Sequence, residues 1–242
     1  MPVIVLASSK GGAGKTTACV VLACELARQG LPKNIGVSLI DADPNQHTAA
    51  WAQLEGKPKN ITLVTNVTES DIIDVIEEAQ AKTPFVIVDL EGVASSAVVG
   101  AVSRADLVII PCQPSQNDAK EAAKTIKTIK YGARVARREI PFAVLFTRIS
   151  AAIITKTGKH LVAEFDGAGV DVFKCSLVER EAFRSIFSFG GSVNNLEATT
   201  SGAQASINKS ADNARLFTEE VKQYLRRSML QKKPQKVGDS DE

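Results

Sequence analysis

SSKGGAGKTT, residues 8–17, follows the apolar run VIVLA (3–7) and opens a helical pattern running from about Thr16 to Gln29. A buried strand, a glycine-rich turn and a helix starting at Lys-Thr-Thr is the setting in which a loop can cradle phosphate. Backbone N–H groups at Gly11, Gly12, Ala13 and Gly14, with the positive helix N-terminus that continues through Thr17, would face the anion. Larger side chains there would block its approach. Lys15 then reaches the β/γ oxygens, and the Thr16 hydroxyl is placed to coordinate Mg²⁺. The usual spacing G-x-x-x-x-G-K-[ST] would put glycine at position 9, where this chain has Ser9. Lys10 is a second cation that the ordinary loop does not need.

Working outward, short β-branched runs alternate with helical patterns. VIVLA is followed by the first helix, IGVSLID (35–41) by TAAWAQLE, and ITLVT (61–65) by SDIIDVIEEAQ. FVIVD (85–89) and DLVIIP (106–111) come next, then a long helix over about 118–138 and the strand FAVLFTR (142–148). The remainder reads as a helix near 155–168, a short strand VDVFKC, a helix over 179–188, a Gly-Gly turn at 190–191 and a terminal helix from about Lys209 to Leu230. This order implies an α/β fold: a mostly parallel twisted sheet with helices on both faces. One domain is expected over 1–230, with a polar, disordered tail over 231–242.

Composition narrows the function classes. No run approaches the ~18 apolar residues of a membrane helix, and the chain enters its first strand without a basic leader, so a cytoplasmic protein is expected. Cys19, Cys24, Cys112 and Cys175 show no paired spacing and read as reduced, buried thiols. The net charge of +2 hides an asymmetry: residues 1–118 carry 8 Lys/Arg against 13 Asp/Glu, and residues 119–242 carry 21 against 14. An acidic first half suits magnesium, whereas a basic second half suits a polyanion.

Two carboxylates, Asp41 and Asp43, end the second strand in DADPNQ (41–46), at the edge where ligands of open α/β sheets bind. Asp43 also suits an Asx turn before the next helix. FVIVD ends in Asp89, a carboxylate suited to holding Mg²⁺ through water.

The variant loop K-G-G-x-G-K-T-T resembles the deviant Walker A box of the ParA/MinD family of ATPases. The resemblance extends in element order over about residues 1–230, with a Trp at 51 and an FTR strand end that resemble small plasmid-partition ParA proteins. It implies that Lys10 reaches across a dimer interface to the partner's nucleotide, so that ATP joins two chains. It makes Asp43 the residue that orients the attacking water and puts Asp41 in the magnesium shell, although Asn45 stands where the family has Gln. Pro111 and Pro114 in IIPCQPSQND, with Thr147 and Arg148, would line the adenine. It further implies slow ATP hydrolysis stimulated by a cargo-bound ParB-like partner.

Lys120, Lys124, Lys127, Lys130 and Arg134 share one sector of a helical wheel, and residues 120–159 hold ten Lys/Arg and two Glu. Such a face suits non-specific DNA binding through phosphates. Arg180 and Arg184 match the family's second DNA-binding segment. Leu216, Phe217, Val221, Tyr224, Leu225 and Leu230 form a stripe that either docks on the domain or, in a MinD-like protein, meets a membrane. Docking is the expected role. A metabolic P-loop enzyme and a positioner of conjugation machinery or another cargo are the further alternatives.

Overall fold

The computed structural model describes residues 1–92, 95–150 and 156–231. The expected tail begins at Gln231, the last helical residue; its remainder, 232–242, lies outside the described residues. The strands are β1 (Val3–Leu6), β2 (Val37–Ala42), β3 (Ile61–Val64), β4 (Phe85–Leu90), β5 (Leu107–Cys112), β6 (Phe142–Ile149), β7 (Asp171–Val172) and β8 (Leu177–Val178). The helices are α1 (Lys15–Gly30), α2 (His47–Gln53), α3 (Ile72–Lys82), α4 (Ser96–Arg104), α5 (Gln116–Ala136), α6 (Lys156–Gly167), α7 (Glu181–Phe189) and α8 (Ser201–Gln231).

The sheet order is β3-β2-β4-β1-β5-β6-β7, every pairing parallel, with β8 pairing further along β6. Alternate residues of a strand point to opposite faces, and the two faces bury separate cores. Ile4 and Leu6 of β1 pack with α1, α2, α7 and α8, whereas Val3 and Val5 pack with α3, α4, α5 and α6. Strands covered on both sides explain the uninterrupted apolar runs. The fold class expected from the alternation is the one observed.

Helix α4 and the two-residue strand β8 are not among the elements expected from the sequence. The α4 segment SAVVGAVSR carries three valines and a glycine, all poor helix formers. Packing decides the outcome: Ala97, Val98, Ala101 and Val102 are buried, and a Cβ on Gly132 of α5 would lie 2.9 Å from Val102 Cγ1. Ser95 caps the helix by accepting from Val98 N.

Helix α8 begins eight residues before the expected Lys209. Ala214, Phe217, Val221 and Leu225 are buried in the core shared with α1. Leu216 and Leu230 of the stripe remain exposed. The stripe therefore docks on the domain, as the sequence suggested. Among the described residues, no helix is long and apolar enough to cross a membrane.

Candidate functional site

The carboxyl ends of the central strands β4, β1 and β5 meet at the loop between β1 and α1, the crevice where open α/β sheets bind ligands. Gly12 and Gly14 have φ of +74° and +94°, which a side chain would strain, and Gly14 is the N-cap of α1. Lys15 is 6% exposed, in the wall of the crevice. A Cβ on Gly92 would lie 3.5 Å from Gly11 N and 3.6 Å from Lys15 Nζ. The chain leaving β4 therefore runs directly against the phosphate loop.

Several side chains buttress this loop from outside. Thr147 of β6 donates to Ala13 O at 2.7 Å, and Gln113 Nε2 donates to Gly12 O at 3.2 Å. Ser9 bonds to Glu121 and Thr125 of α5. Lys10 reaches Asp118 in the first turn of α5, with Nζ 2.9 Å and 3.0 Å from its two carboxylate oxygens. The Lys10 side chain is 40% exposed and that of Asp118 is 5% exposed. Within the single chain, the lysine expected to serve a partner's nucleotide thus lies against its own α5.

The three carboxylates differ in burial and in hydrogen-bond partners. Asp89 is fully buried; Thr48 donates to its Oδ2 at 2.8 Å, the Thr16 hydroxyl lies close by, and Oδ1 has no hydrogen-bond partner. Burial pushes its pKa up to about 6, against the lowering effects of the Thr48 and Thr16 hydroxyls. An orphaned buried carboxylate oxygen beside a threonine hydroxyl at a phosphate loop fits Mg²⁺, which takes one or two protein ligands and completes its shell with water and phosphate. Among the described residues, no group of three or more His, Cys, Asp or Glu could form a cage instead.

Asp41 is also buried, but both its oxygens already accept backbone N–H groups, from Asp43 at 3.2 Å and from Ala49 at 2.8 Å. It anchors α2 rather than presenting a free oxygen. Burial pushes its pKa up. Asp43 is 8% exposed, and its Oδ1 accepts from Asn45 N and Nδ2, both at 2.9 Å, which is an Asx turn. Asn45, the departure from the family pattern, thus fixes the Asp43 carboxylate.

A pocket beside the loop is lined by Gly14, Thr17, Thr147, Arg148, Val178, Arg180 and neighbouring residues of α7. Thr147 and Arg148, the residues expected to line the adenine, both line this pocket. Arg148 adopts φ of +52° where the pairing of β6 with β8 shifts register, so a bulge aims it at this site. Pro111 and Pro114 lie elsewhere: Pro111 pairs with Leu145 inside the sheet, and Pro114 lines a separate apolar cavity with Phe146 and Ile149.

The second expected DNA segment also falls into this pocket. Arg180 and Arg184 line it, and Arg184 pairs with Glu179 and, at 3.5 Å, with Glu181. Lys120, Lys124, Lys127, Lys130 and Arg134 are instead exposed along α5, with Ala119, Ala122, Ile126 and Ile129 buried beneath them. Sequence reasoning missed Asp118 and Thr48 because their partners are 41 or more residues away, whereas the pairing of Arg184 with Glu179 and Glu181 is the alternative that the sequence offered to a DNA role for that segment. The one available signal was an acidic first turn in α5, just beyond a central strand.

The VirC1 protein family matches residues 1–227. Protein ParA of Rhizobium radiobacter is 41% identical over 217 residues, covering 90% of this chain and 94% of that protein. The ATP complex of a McdA variant from Cyanothece superposes with TM-score 0.71 over 92% of this chain and 96% of that one, at 16% identity. MinD of Aquifex aeolicus, in its complex with MinC, gives TM-score 0.68 over 98% of both chains at 20% identity. With the glycine loop, its two lysines and the buried Asp89 assembled at one crevice of a fold shared with McdA and MinD, the chain belongs to the VirC1 protein family and is a relative of the ParA protein of Rhizobium radiobacter.

Proposed function

We propose that the chain is a ParA-type segregation ATPase of the cytoplasm, associated with the nucleoid. Lys15, the backbone of Gly11 to Gly14 and Thr17 bind the triphosphate, while Thr147, Arg148 and the α7 side of the pocket take the nucleoside. Thr16 and Asp89 hold Mg²⁺. When bound, that ion neutralises charge on the β- and γ-phosphate oxygens. Asp43, fixed by Asn45, orients the attacking water. Lys10 of each chain joins its partner's nucleotide, as an arginine finger would, and the paired basic faces of α5 hold DNA without reading bases. A ParB-like partner on the cargo stimulates slow hydrolysis, and the pair separates.

The observation that carries this reading is the difference between the two loop lysines. Lys15 is walled into the crevice, whereas Lys10 stands on the rim, 40% exposed and held by the Asp118 pair. Sedimentation and DNA retention without nucleotide, with ADP and with ATP, compared between wild type and Lys10→Ala, test it. Wild type is expected to pair and bind DNA with ATP alone, and Lys10→Ala to bind ATP yet stay single. Equal DNA binding by wild type in all three conditions overturns the switch.

A second reading keeps the ATP chemistry but changes the cargo. A 26% identical relative described as a carboxysome-distribution protein in Halothiobacillus neapolitanus supports a positioner of something other than a plasmid. Isolation of the ATP-bound pair with its cargo separates the two. A MinD-like membrane role is less well supported, since Phe217, Val221 and Leu225 of α8 are buried.

A further inference from the structure

Ser9 stands where the usual phosphate loop has glycine, and its backbone N–H and hydroxyl both bond to helix α5. Its backbone N–H donates to Thr125 Oγ1 at 3.0 Å; its hydroxyl lies 2.8 Å from Glu121 Oε2 and 2.9 Å from Glu121 O. Thr125 is buried and donates in turn to Glu121 O at 3.2 Å. The other carboxylate oxygen of Glu121 accepts from Lys124 at 2.6 Å. Lys10, the next loop residue, pairs with Asp118 one turn earlier on the same helix. Phosphate binding requires none of these contacts, because the anion is met by the later N–H groups of the loop and by Lys15. A glycine at position 9 could keep the N–H bond but would lose the hydroxyl link.

We infer that Ser9 is a positioning residue that couples the phosphate loop to helix α5, so that a rearrangement of the loop on ATP binding is passed through Glu121 and Thr125 to the basic face. The coupling is short: any turn of the Lys10 backbone acts on Ser9, which is bound at both polar groups. It is also stiff. Helix α5 runs unbroken for 21 residues from Gln116 to Ala136, so a shift at its first turns reaches Lys127, Lys130 and Arg134. The consequence for DNA rests on the function proposed above; the mechanical link between loop and helix does not.

Amide hydrogen exchange of the full chain, with and without a non-hydrolysable ATP analogue and Mg²⁺, reads the link directly. In wild type the analogue is expected to change exchange over residues 121–128 by roughly fivefold, the size of one hydrogen bond. Ser9→Gly, which keeps the N–H bond but loses the hydroxyl link, is expected to cut that change to about twofold or less while the analogue's Kd stays within about threefold of wild type. Ser9→Thr, which keeps the hydroxyl, should restore it. Thr125→Val, nearly the same shape, removes the acceptor from the helix side and should uncouple as Ser9→Gly does. A full change in either Ser9→Gly or Thr125→Val, or no change in wild type, overturns the inference. Sedimentation of Lys10→Ala tests the proposed pairing separately. If Ser9→Gly uncouples while Lys10→Ala still pairs with ATP, the link stands and the pairing mechanism falls. If Lys10→Ala fails to pair while Ser9→Gly responds in full, the reverse holds.

Discussion

Lys10 and Asp118 form an ion pair that must open before the lysine can serve another chain, so its strength bears on the pairing equilibrium. Burial pushes the Asp118 pKa up, but the Ser115 hydroxyl and the Lys10 ammonium outweigh it, and the net shift is downward. With Lys10 40% exposed, solvent screens the attraction, and ~0.5–1 kcal/mol is the appropriate scale. Two such pairs open per dimer, so Asp118→Asn should favour the ATP-joined pair by about five- to thirtyfold in dimer Kd, read by sedimentation, with little change in ATP affinity. A weaker dimer in that variant would mean that Asp118 supports pairing rather than opposing it. Asp89 gives a second residue-scale test. Its pKa in the folded chain is raised to about 6 by burial, so between the ordinary carboxylate value and pH 6 the folded chain binds more protons than the unfolded one. Without Mg²⁺, stability should fall as pH rises through that window and level off above it, by at most about 3 kcal/mol. Asp41, shifted the same way by burial, adds to the slope. Thermal melts from pH 4 to 7 in chelator should show a shallower dependence in Asp89→Asn than in wild type. These roles were unevenly legible: the loop and Asp89 announce themselves by local spacing, whereas Asp118, Thr48 and Ser9 act through partners that no local pattern reveals.

Helix α2 follows the Asp43 turn, and its far end is locked to the corner after α7. Trp51 Nε1 donates to Gly191 O at 3.0 Å, and a Cβ on Gly190, whose φ is +84°, would lie 2.2 Å from Glu55 O and 2.7 Å from Leu54 Cβ. Backbone cannot yield at that distance as a flexible side chain would. Gly190→Ala should cost roughly 2–4 kcal/mol by thermal melting and redshift the emission of the single tryptophan. Gly11 is the opposite case, since a Cβ there meets nothing within 4 Å. Gly11→Ala should leave the melting temperature nearly unchanged and weaken ATP binding at least about tenfold, because the added methyl stands where phosphate approaches. A variant that melted early but bound ATP normally would contradict the role given to that loop. Elements of strong period were readable from the sequence: β1, β4, β5 and α5 lie within a few residues of their expected bounds. Those that depend on tertiary contact were not. Helix α4 forms against α3 and α5 despite its valines; β7 and β8 are two residues each; and the first turns of α8, rich in Ser, Ala and Gly, carry no apolar stripe to mark them. The pocket proposed for the nucleoside was half legible for the same reason, with Thr147 and Arg148 at a strand end but Leu177, Val178 and Phe183 brought in by the fold.

Across the whole molecule, charge is unevenly placed: Asp41, Asp43 and Asp89 sit buried at the carboxyl ends of β2 and β4, while α5 lays Lys120, Lys124, Lys127, Lys130 and Arg134 along one exposed face. Lys124 is already paired with Glu121, so four cations per chain remain for phosphate. Each phosphate contact releases about 0.9 counterion, so one chain should show a slope of log K against log salt near −4, and an ATP-joined pair a slope near −7. Lys127→Ala should then reduce the slope of the pair by about 2 and weaken all duplex sequences alike, since phosphates carry no base information. Arg184 makes the assignment decidable. It lines the pocket next to the phosphate loop and is engaged by Glu179 and Glu181. Arg184→Ala should therefore raise the KM for ATP while leaving the salt slope of the ATP-saturated protein where it was. If Arg184→Ala flattens the salt dependence and Lys127→Ala leaves it unchanged, the nucleic-acid surface lies at α7, and the basic face of α5 is only a solvated helix face.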